Sequence, residues 1–76
     1  MDTLFSLKVF RQVVQSGSFT RAADQLDIST AMASKHVSHL ENTIQAKLLH
    51  RNSRHLHLTE AGEEYYRQCS YALDTL

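Results

Sequence analysis

Between its first and last residues the chain carries no proline and only two glycines, at positions 17 and 62. These two residue types are the strongest local punctuation a polypeptide has, so their scarcity drives most of the chain into regular structure or tight turns. The apolar spacing selects helix. From Thr3 to about Gln15, Leu4, Leu7, Phe10 and Val14 recur on one face with Val13 beside them, while Lys8, Arg11, Gln12 and Gln15 lie elsewhere. Gly17 ends that helix, because it takes positive φ without a Cβ penalty. Ser18 is a natural cap for a short second helix, Phe19 to Leu26, in which Ala22, Ala23 and Leu26 are suited to close packing. Asp27-Ile28-Ser29 leaves room only for a turn, and Ser29 caps a third helix from Thr30 to about Gln45.

The third helix has two unlike faces. Ala33, Val37, Leu40 and Ile44 follow one another at i, i+4, i+7 and i+11, which at helical pitch makes a narrow apolar stripe for the core. Ala31, Lys35 and Asn42 stand nearly opposite, flanked by Ser34, Ser38 and His39. After Leu48-Leu49 the pattern turns polar, and Leu56-His57-Leu58 alternates with period two, which predicts a small β-hairpin over 50–57 with Asn52-Ser53 at its turn. Thr59 caps a last helix whose early Glu60, Glu63 and Glu64 complement the helix dipole. Along it Tyr65, Cys69, Ala72 and Leu76 form a heptad-like seam, with Tyr66 and Leu73 beside it. The expected fold is mainly α: a winged helix-turn-helix of three helices and a hairpin over 1–58, followed by a linker or dimerisation helix over 59–76.

Composition bounds what such a fold can be used for. Seventy-six residues hold one core, and 42% hydrophobic with 21% charged residues is ordinary for a globular domain. The single cysteine allows no internal disulfide, and no apolar run approaches the ~20 residues of a membrane span, so the expected setting is a reducing cytoplasm with no membrane role. Formal net charge is zero, but it is unevenly placed. Lys35, Lys47, Arg51 and Arg54 face only Glu41 in the stretch from Lys35 to His57, which also holds all five histidines; the rest of the chain carries four cations and seven acids.

Two helices joined by a tight turn, the second with an apolar back and a small polar front, suit the major groove of duplex DNA. Ser34 and Ser38 can hydrogen-bond base edges, Lys35 can reach guanine or a phosphate, and the methyls of Thr30 and Ala31 can meet thymine methyls. Ser18, Thr20 and Arg21 at the start of the second helix are candidate phosphate contacts, and Arg51 and Arg54 on the hairpin would grip backbone or enter a minor groove. Arg51 is equally open to a structural ion pair, which makes Arg54 the safer contact. His55 and His57 share one side of a strand, but zinc sites usually bring cysteines and Cys69 is far along the chain, so no metal is expected. Cys69 reads as an interface residue rather than a nucleophile. With no glycine-rich phosphate loop and no carboxylate pair beside a histidine, no enzyme is expected. The competing reading is a winged-helix module for protein contacts alone, compatible with the neutral net charge.

The run Gly17-Ser18-Phe19-Thr20-Arg21-Ala22-Ala23, then Leu26, Ser29, Ser34-Lys35-His36-Val37, Leu40-Glu41, Leu48-Leu49, Arg51, Arg54 and Leu58-Thr59-Glu60-Ala61-Gly62, resembles the LysR-type transcriptional regulators. The resemblance covers essentially the whole chain without a gap. It implies a winged helix-turn-helix that binds an interrupted palindrome, a long linker helix pairing two subunits with higher oligomers in the full-length protein, and a separate domain for a small-molecule effector. No cofactor is implied within these residues, and the chain reads as a piece ending in the linker helix. It departs from the family pattern at three places. Thr30-Ala31 stands where Gln-Pro is common, so the base preference of typical members does not carry over. Gln45 replaces a frequent glycine after the third helix, and Leu49 replaces an aromatic before the wing.

Overall fold

The structure, a computed structural model, describes residues 1–51 and 56–76. The expected turn at Asn52-Ser53, with Arg54 and His55, lies outside the described residues. The element order is α1 (Thr3–Ser16), α2 (Phe19–Gln25), α3 (Thr30–Ile44), β1 (Leu49–Arg51), β2 (Leu56–Leu58) and α4 (Glu60–Thr75). Every helix starts on a side-chain cap. Ser18 Oγ accepts from the Arg21 N–H, Ser29 Oγ from Met32 and Thr59 Oγ1 from Gly62, as their positions predict. Asp2, which the periodicity does not single out, caps α1 by accepting from the N–H groups of Leu4 and Phe5. Each cap satisfies donors that the helix cannot, and is worth about 1 kcal/mol.

The helix ends are set by left-handed residues. Gly17 (φ 72°) closes α1, its N–H on the Val13 carbonyl. Between α2 and α3 the turn is a Schellman closure: Asp27 sits at φ 58°, its N–H reaches the Asp24 carbonyl at 3.2 Å, and the Ile28 N–H reaches Ala23 at 2.9 Å. The end of α3 repeats the device without a glycine. Gln45 sits at φ 57°, Ala46 N–H bonds the Glu41 carbonyl at 3.2 Å, and the Gln45 side-chain amide donates to the Asn42 carbonyl at 2.8 Å. A left-handed L-residue costs about 1–2 kcal/mol, which this local bond offsets in part.

α1 is the hub of the core. Val9, Phe10 and Val13 are fully enclosed, with Ala22 and Ala23 of α2, Ala33, Val37 and Leu40 of α3, Leu48, Leu49 and Cys69 around them. Two expected core residues are not there: Leu4 is 43% exposed and Ile44 36%. On α1 the enclosed set is Ser6, Val9, Phe10 and Val13, a face rotated from the Leu4, Leu7, Phe10, Val14 stripe because α1 meets α3 through Ser6, a polar residue that periodicity discards. Ile44 lies on the last turn of α3, where the chain leaves at Gln45.

The wing strands pair antiparallel with Leu49 opposite Leu58, His50 opposite His57 and Arg51 opposite Leu56. α4 then locks onto the entry to the wing. The Thr59 hydroxyl donates to the Lys47 carbonyl at 2.6 Å, the Thr59 N–H donates to the Leu48 carbonyl at 3.0 Å, and Gly62 packs so closely that a Cβ there would stand 2.0 Å from the same Leu48 oxygen. Further along, Phe10 meets Tyr65 and Tyr66 edge-on at 5.6 and 6.3 Å between ring centroids, and Arg11 pairs with Asp74 at 2.7 Å. No described helix is long and apolar enough to cross a membrane.

Candidate nucleic-acid interface

α3 can present a front face only if its back is held. Ala33, Val37 and Leu40 supply the apolar hold, and His36 supplies a polar one that the helical stripe does not predict. The Ser6 hydroxyl donates to the Asp2 carbonyl at 3.0 Å, so its oxygen is left to accept, and the His36 Nδ1 at 2.7 Å must be the donor. Phe5 meets the imidazole edge-on at 5.1 Å. Burial lowers the His36 pKa below its ordinary 6.5, His39 and the chain's amino terminus push the same way, and Asp2 opposes them. A neutral ring with its proton on Nδ1 therefore joins α3 to α1.

On the opposite side Thr30, Ala31 and Lys35 are exposed, and Ser34 and Ser38 are half-buried. The exposed front of α3 is thus mostly polar, with Met32 at its edge, and its one ammonium, on Lys35, is in no ion pair among the described residues. Thr20 and Arg21 are exposed on the first turn of α2, where Arg21 lies 3.5 Å from the Ser16 carbonyl, while Ser18 is half-buried and its oxygen is engaged as the α2 cap.

Arg51 brings α2, α3 and the wing together. Its guanidinium lies over the Phe19 ring, 4.6 Å from the centroid, donates from Nη1 to Ser34 Oγ at 3.0 Å, and stands 3.8 Å from a Glu41 carboxylate oxygen. The ion pair open to Arg51 in the sequence is present. Glu41 is the residue that sequence reasoning missed: only 6% exposed, it accepts from the Leu48 N–H at 2.9 Å through one oxygen and faces Arg51 and Lys47 with the other. Its signal was available, since it is the single acid in the cationic stretch from Lys35 to His57. Phe19 was also missed as the platform for that guanidinium. Arg54, the other expected wing contact, lies outside the described residues. His50 and His57 face each other across the strands with rings 5.0 Å apart, and the described residues contain no cluster of three or more His, Cys, Asp or Glu side chains able to hold a metal ion.

The pairing seam expected on α4 divides in two. Tyr65, Tyr66 and Leu73 are half-buried against the domain, and Cys69 is 4% exposed with its thiol on the Leu7 carbonyl at 3.4 Å, so its side chain is spent inside the protomer. Burial raises the Cys69 pKa, with Arg11 opposing, which keeps the thiol protonated and unreactive. Ala72 and Leu76 remain exposed, together with Tyr71, which the heptad reading leaves out and which is 63% exposed.

Three capped helices, the third held by its back and presented by its front, with a two-stranded hairpin beside it, define a winged helix-turn-helix domain. A sequence profile described as bacterial regulatory helix-turn-helix protein, lysR family, matches residues 4–63. The chain belongs to that family. It is 49% identical over 69 residues to the transcriptional activator AaeR of Escherichia coli K12, covering 91% of this chain and 22% of that protein. It is 42% identical over all 76 residues to a transcriptional repressor of Pseudomonas aeruginosa, 24% of whose length it spans. Among solved structures, the BenM DNA-binding domain in complex with its benA site 1 DNA superposes with a TM-score of 0.91 at 35% identity, over 99% of this chain and 83% of that one. The chain therefore spans less than a quarter of the length of these curated relatives.

Proposed function

We propose that this chain is the sequence-specific DNA-reading domain of a LysR-family transcription regulator, working as a homodimer. α3 enters the major groove with Ser34, Lys35 and Ser38 toward base edges and Thr30 and Ala31 at its leading end. Ser18, Thr20 and Arg21 lie along phosphates, with Arg54 and the wing on the flanking backbone or minor groove. The observation that carries this is the two-faced α3: an immobilised apolar and imidazole back behind an exposed, small, polar front with a single cation. Two copies, paired through residues 59–76 with Tyr71, Ala72 and Leu76 exposed for contact, would read an interrupted palindrome. The family, and the regulator names its members carry, support a regulatory rather than catalytic role and a cytoplasmic setting. A small-molecule effector would act on a longer protein outside these 76 residues.

The test is fluorescence anisotropy with duplexes selected from a random pool, repeated across salt. If the dimer neutralises about four phosphates, raising salt from about 50 to 200 mM weakens binding by about 10²-fold, because each phosphate contact releases counterions. A dimeric protein that binds no duplex even at low salt would overturn the proposal in favour of a protein-contact module.

A further inference from the structure

The register of the wing brings together two imidazoles that the sequence keeps apart. His50 and His57 stand directly opposite each other on β1 and β2. Opposite residues of an antiparallel pair hold their Cβ atoms about 4.5–5.5 Å apart, and here the ring centroids are 5.0 Å apart. Both side chains are exposed, whereas the neighbouring pair, Leu49 and Leu58, is buried and half-buried on the other face of the hairpin. Arg51, next along β1, also points to that other face, where Phe19, Ser34 and Glu41 hold its guanidinium. Its charge is therefore directed away from the imidazoles. The strands are pinned at their base by the Thr59 N–H to Leu48 carbonyl bond at 3.0 Å, so the fold itself sets the pair in place and little ordering is left for a ligand to impose.

The separation matches what two imidazoles need to share one ion. With Zn–N bonds of about 2.0–2.1 Å and a ring nitrogen about 1.1 Å from its ring centre, the ion stands about 3.2 Å from each centre. N–Zn–N angles of about 90–110° then place the two centres about 4.5–5.2 Å apart, a window that contains the observed 5.0 Å. We infer that His50 and His57 form a two-imidazole site for a divalent transition ion, Zn(II), Ni(II) or Cu(II), on the outer face of the wing. Imidazole suits these ions, whereas Mg(II) and Ca(II) take oxygen ligands. The described residues supply no cluster of three or more ligating side chains, so the pair fills two positions and leaves the rest to water, as in an open site rather than a closed structural one. The bound ion ties β1 to β2. The sequence expectation of no metal weighs His55 with His57 along one strand; the partner that matters for His57 is on the facing strand. None of this depends on the DNA-reading proposal.

The experiment titrates zinc chloride into the 76-residue chain by isothermal calorimetry in a buffer that does not coordinate metal, and compares wild type with H50A, H57A, the double variant and H39A. Wild type should bind one ion per chain with a dissociation constant on the order of 10 µM, as expected when the protein supplies two of the four bonds of a full zinc site. H50A and H57A should each weaken binding by about tenfold or more, the double variant should add little further loss, and H39A should stay within about twofold of wild type. Lowering the pH from about 7.5 to about 5.5 should weaken binding by about tenfold or more, because an imidazole must shed its proton to ligate. A second measurement uses the wild-type chain alone, in case a variant fails to fold: the ring C–H signals of His50 and His57 should move together in the nuclear magnetic resonance spectrum as zinc is added, with those of His36 and His39 unmoved. The inference is overturned if binding survives H50A or H57A, if it is indifferent to pH, or if His57 shifts without His50. No binding at about 1 mM zinc would overturn it too and leave the two rings as a packing pair that steadies the hairpin.

Discussion

Replacing Gly62 by alanine sets two effects of opposite sign against each other. Inside a helix, alanine is favoured over glycine by about 1 kcal/mol. At this position, however, the new Cβ would stand 2.0 Å from the Leu48 carbonyl oxygen, 2.9 Å from its carbon and 3.1 Å from Leu58 Cδ2, against a comfortable separation of about 3.5 Å. The nearest obstacle is backbone and cannot rotate away. Relief requires α4 to retreat by over ~1 Å from the segment it is tied to by the Thr59 N–H to Leu48 carbonyl bond and the Thr59 hydroxyl to Lys47 carbonyl bond. Loss of one such bond costs about 0.5–1.5 kcal/mol, and overpacking typically costs about 1–3 kcal/mol. The net expectation is a loss of about 2 kcal/mol, which in a domain of this size lowers Tm by about 8–16 °C in a thermal melt followed by circular dichroism. Gly17 is the internal control. Its Cβ would meet nothing within 4 Å, and only its φ of 72° penalises a side chain. Asparagine, which tolerates the left-handed region, should therefore be nearly neutral at 17 and worse than alanine at 62. A Gly62→Ala protein that melts at or above wild type would refute the close-approach argument.

Four further outcomes follow from the same contacts. Glu41→Ala leaves the Leu48 N–H buried without its partner and Arg51 without its counter-charge, so urea denaturation should show a loss of about 1–3 kcal/mol; Glu41→Gln, which keeps an acceptor, should lose less. Because burial lowers the folded pKa of His36, the unfolded chain binds more protons once pH drops below about 6.5; stability should fall with pH from there until the folded pKa is passed, and His36→Gln should remove that slope from a pH series of melts. Gln45→Gly relieves a left-handed glutamine at φ 57° at the cost of an exposed side-chain bond and a looser unfolded chain, for a net gain of about 0.5–1 kcal/mol; an unchanged or lower melting temperature would mean the site is unstrained. Lys35→Ala, at an exposed position on the α3 front, should cost about 1–3 kcal/mol of DNA affinity concentrated at one base pair, whereas Arg54→Ala should weaken all duplexes alike and flatten the salt slope.

Much of the fold was legible because it rests on local chemistry. Ser18, Ser29 and Thr59 announce helix starts through a hydroxyl three residues ahead of an unsatisfied N–H, and Gly17 announces an end through its missing Cβ; each acts within one turn of chain. The apolar back of α3 was legible for the same reason, since Ala33, Val37 and Leu40 face one way whatever packs against them. Local rules lose force where a residue's role depends on a distant partner. Leu4, expected in the core, is exposed, while Ser6, which the periodicity passes over, is enclosed by a bond to His36 thirty positions away.

The candidate interface divides along the same line. The exposed polar front of α3, with Lys35 at its centre, and the cationic stretch around it could be read from residue order alone, because helical pitch and charge spacing are properties of the chain. Whether Arg51 reaches outward or is held inward could not, because the answer depends on Phe19, Ser34 and Glu41 meeting in space from two other helices. Gly62 is the plainest case. In the sequence it is one of only two glycines and looks like punctuation, yet it lies inside α4, and only the packed structure shows why: the Leu48 carbonyl occupies the space a side chain would need. Sequence determined where the helices begin and which way α3 faces, since those follow from bonds within a turn. Tertiary structure decided which polar residues are spent inside and which are left to meet a partner, since those depend on distances between segments far apart along the chain.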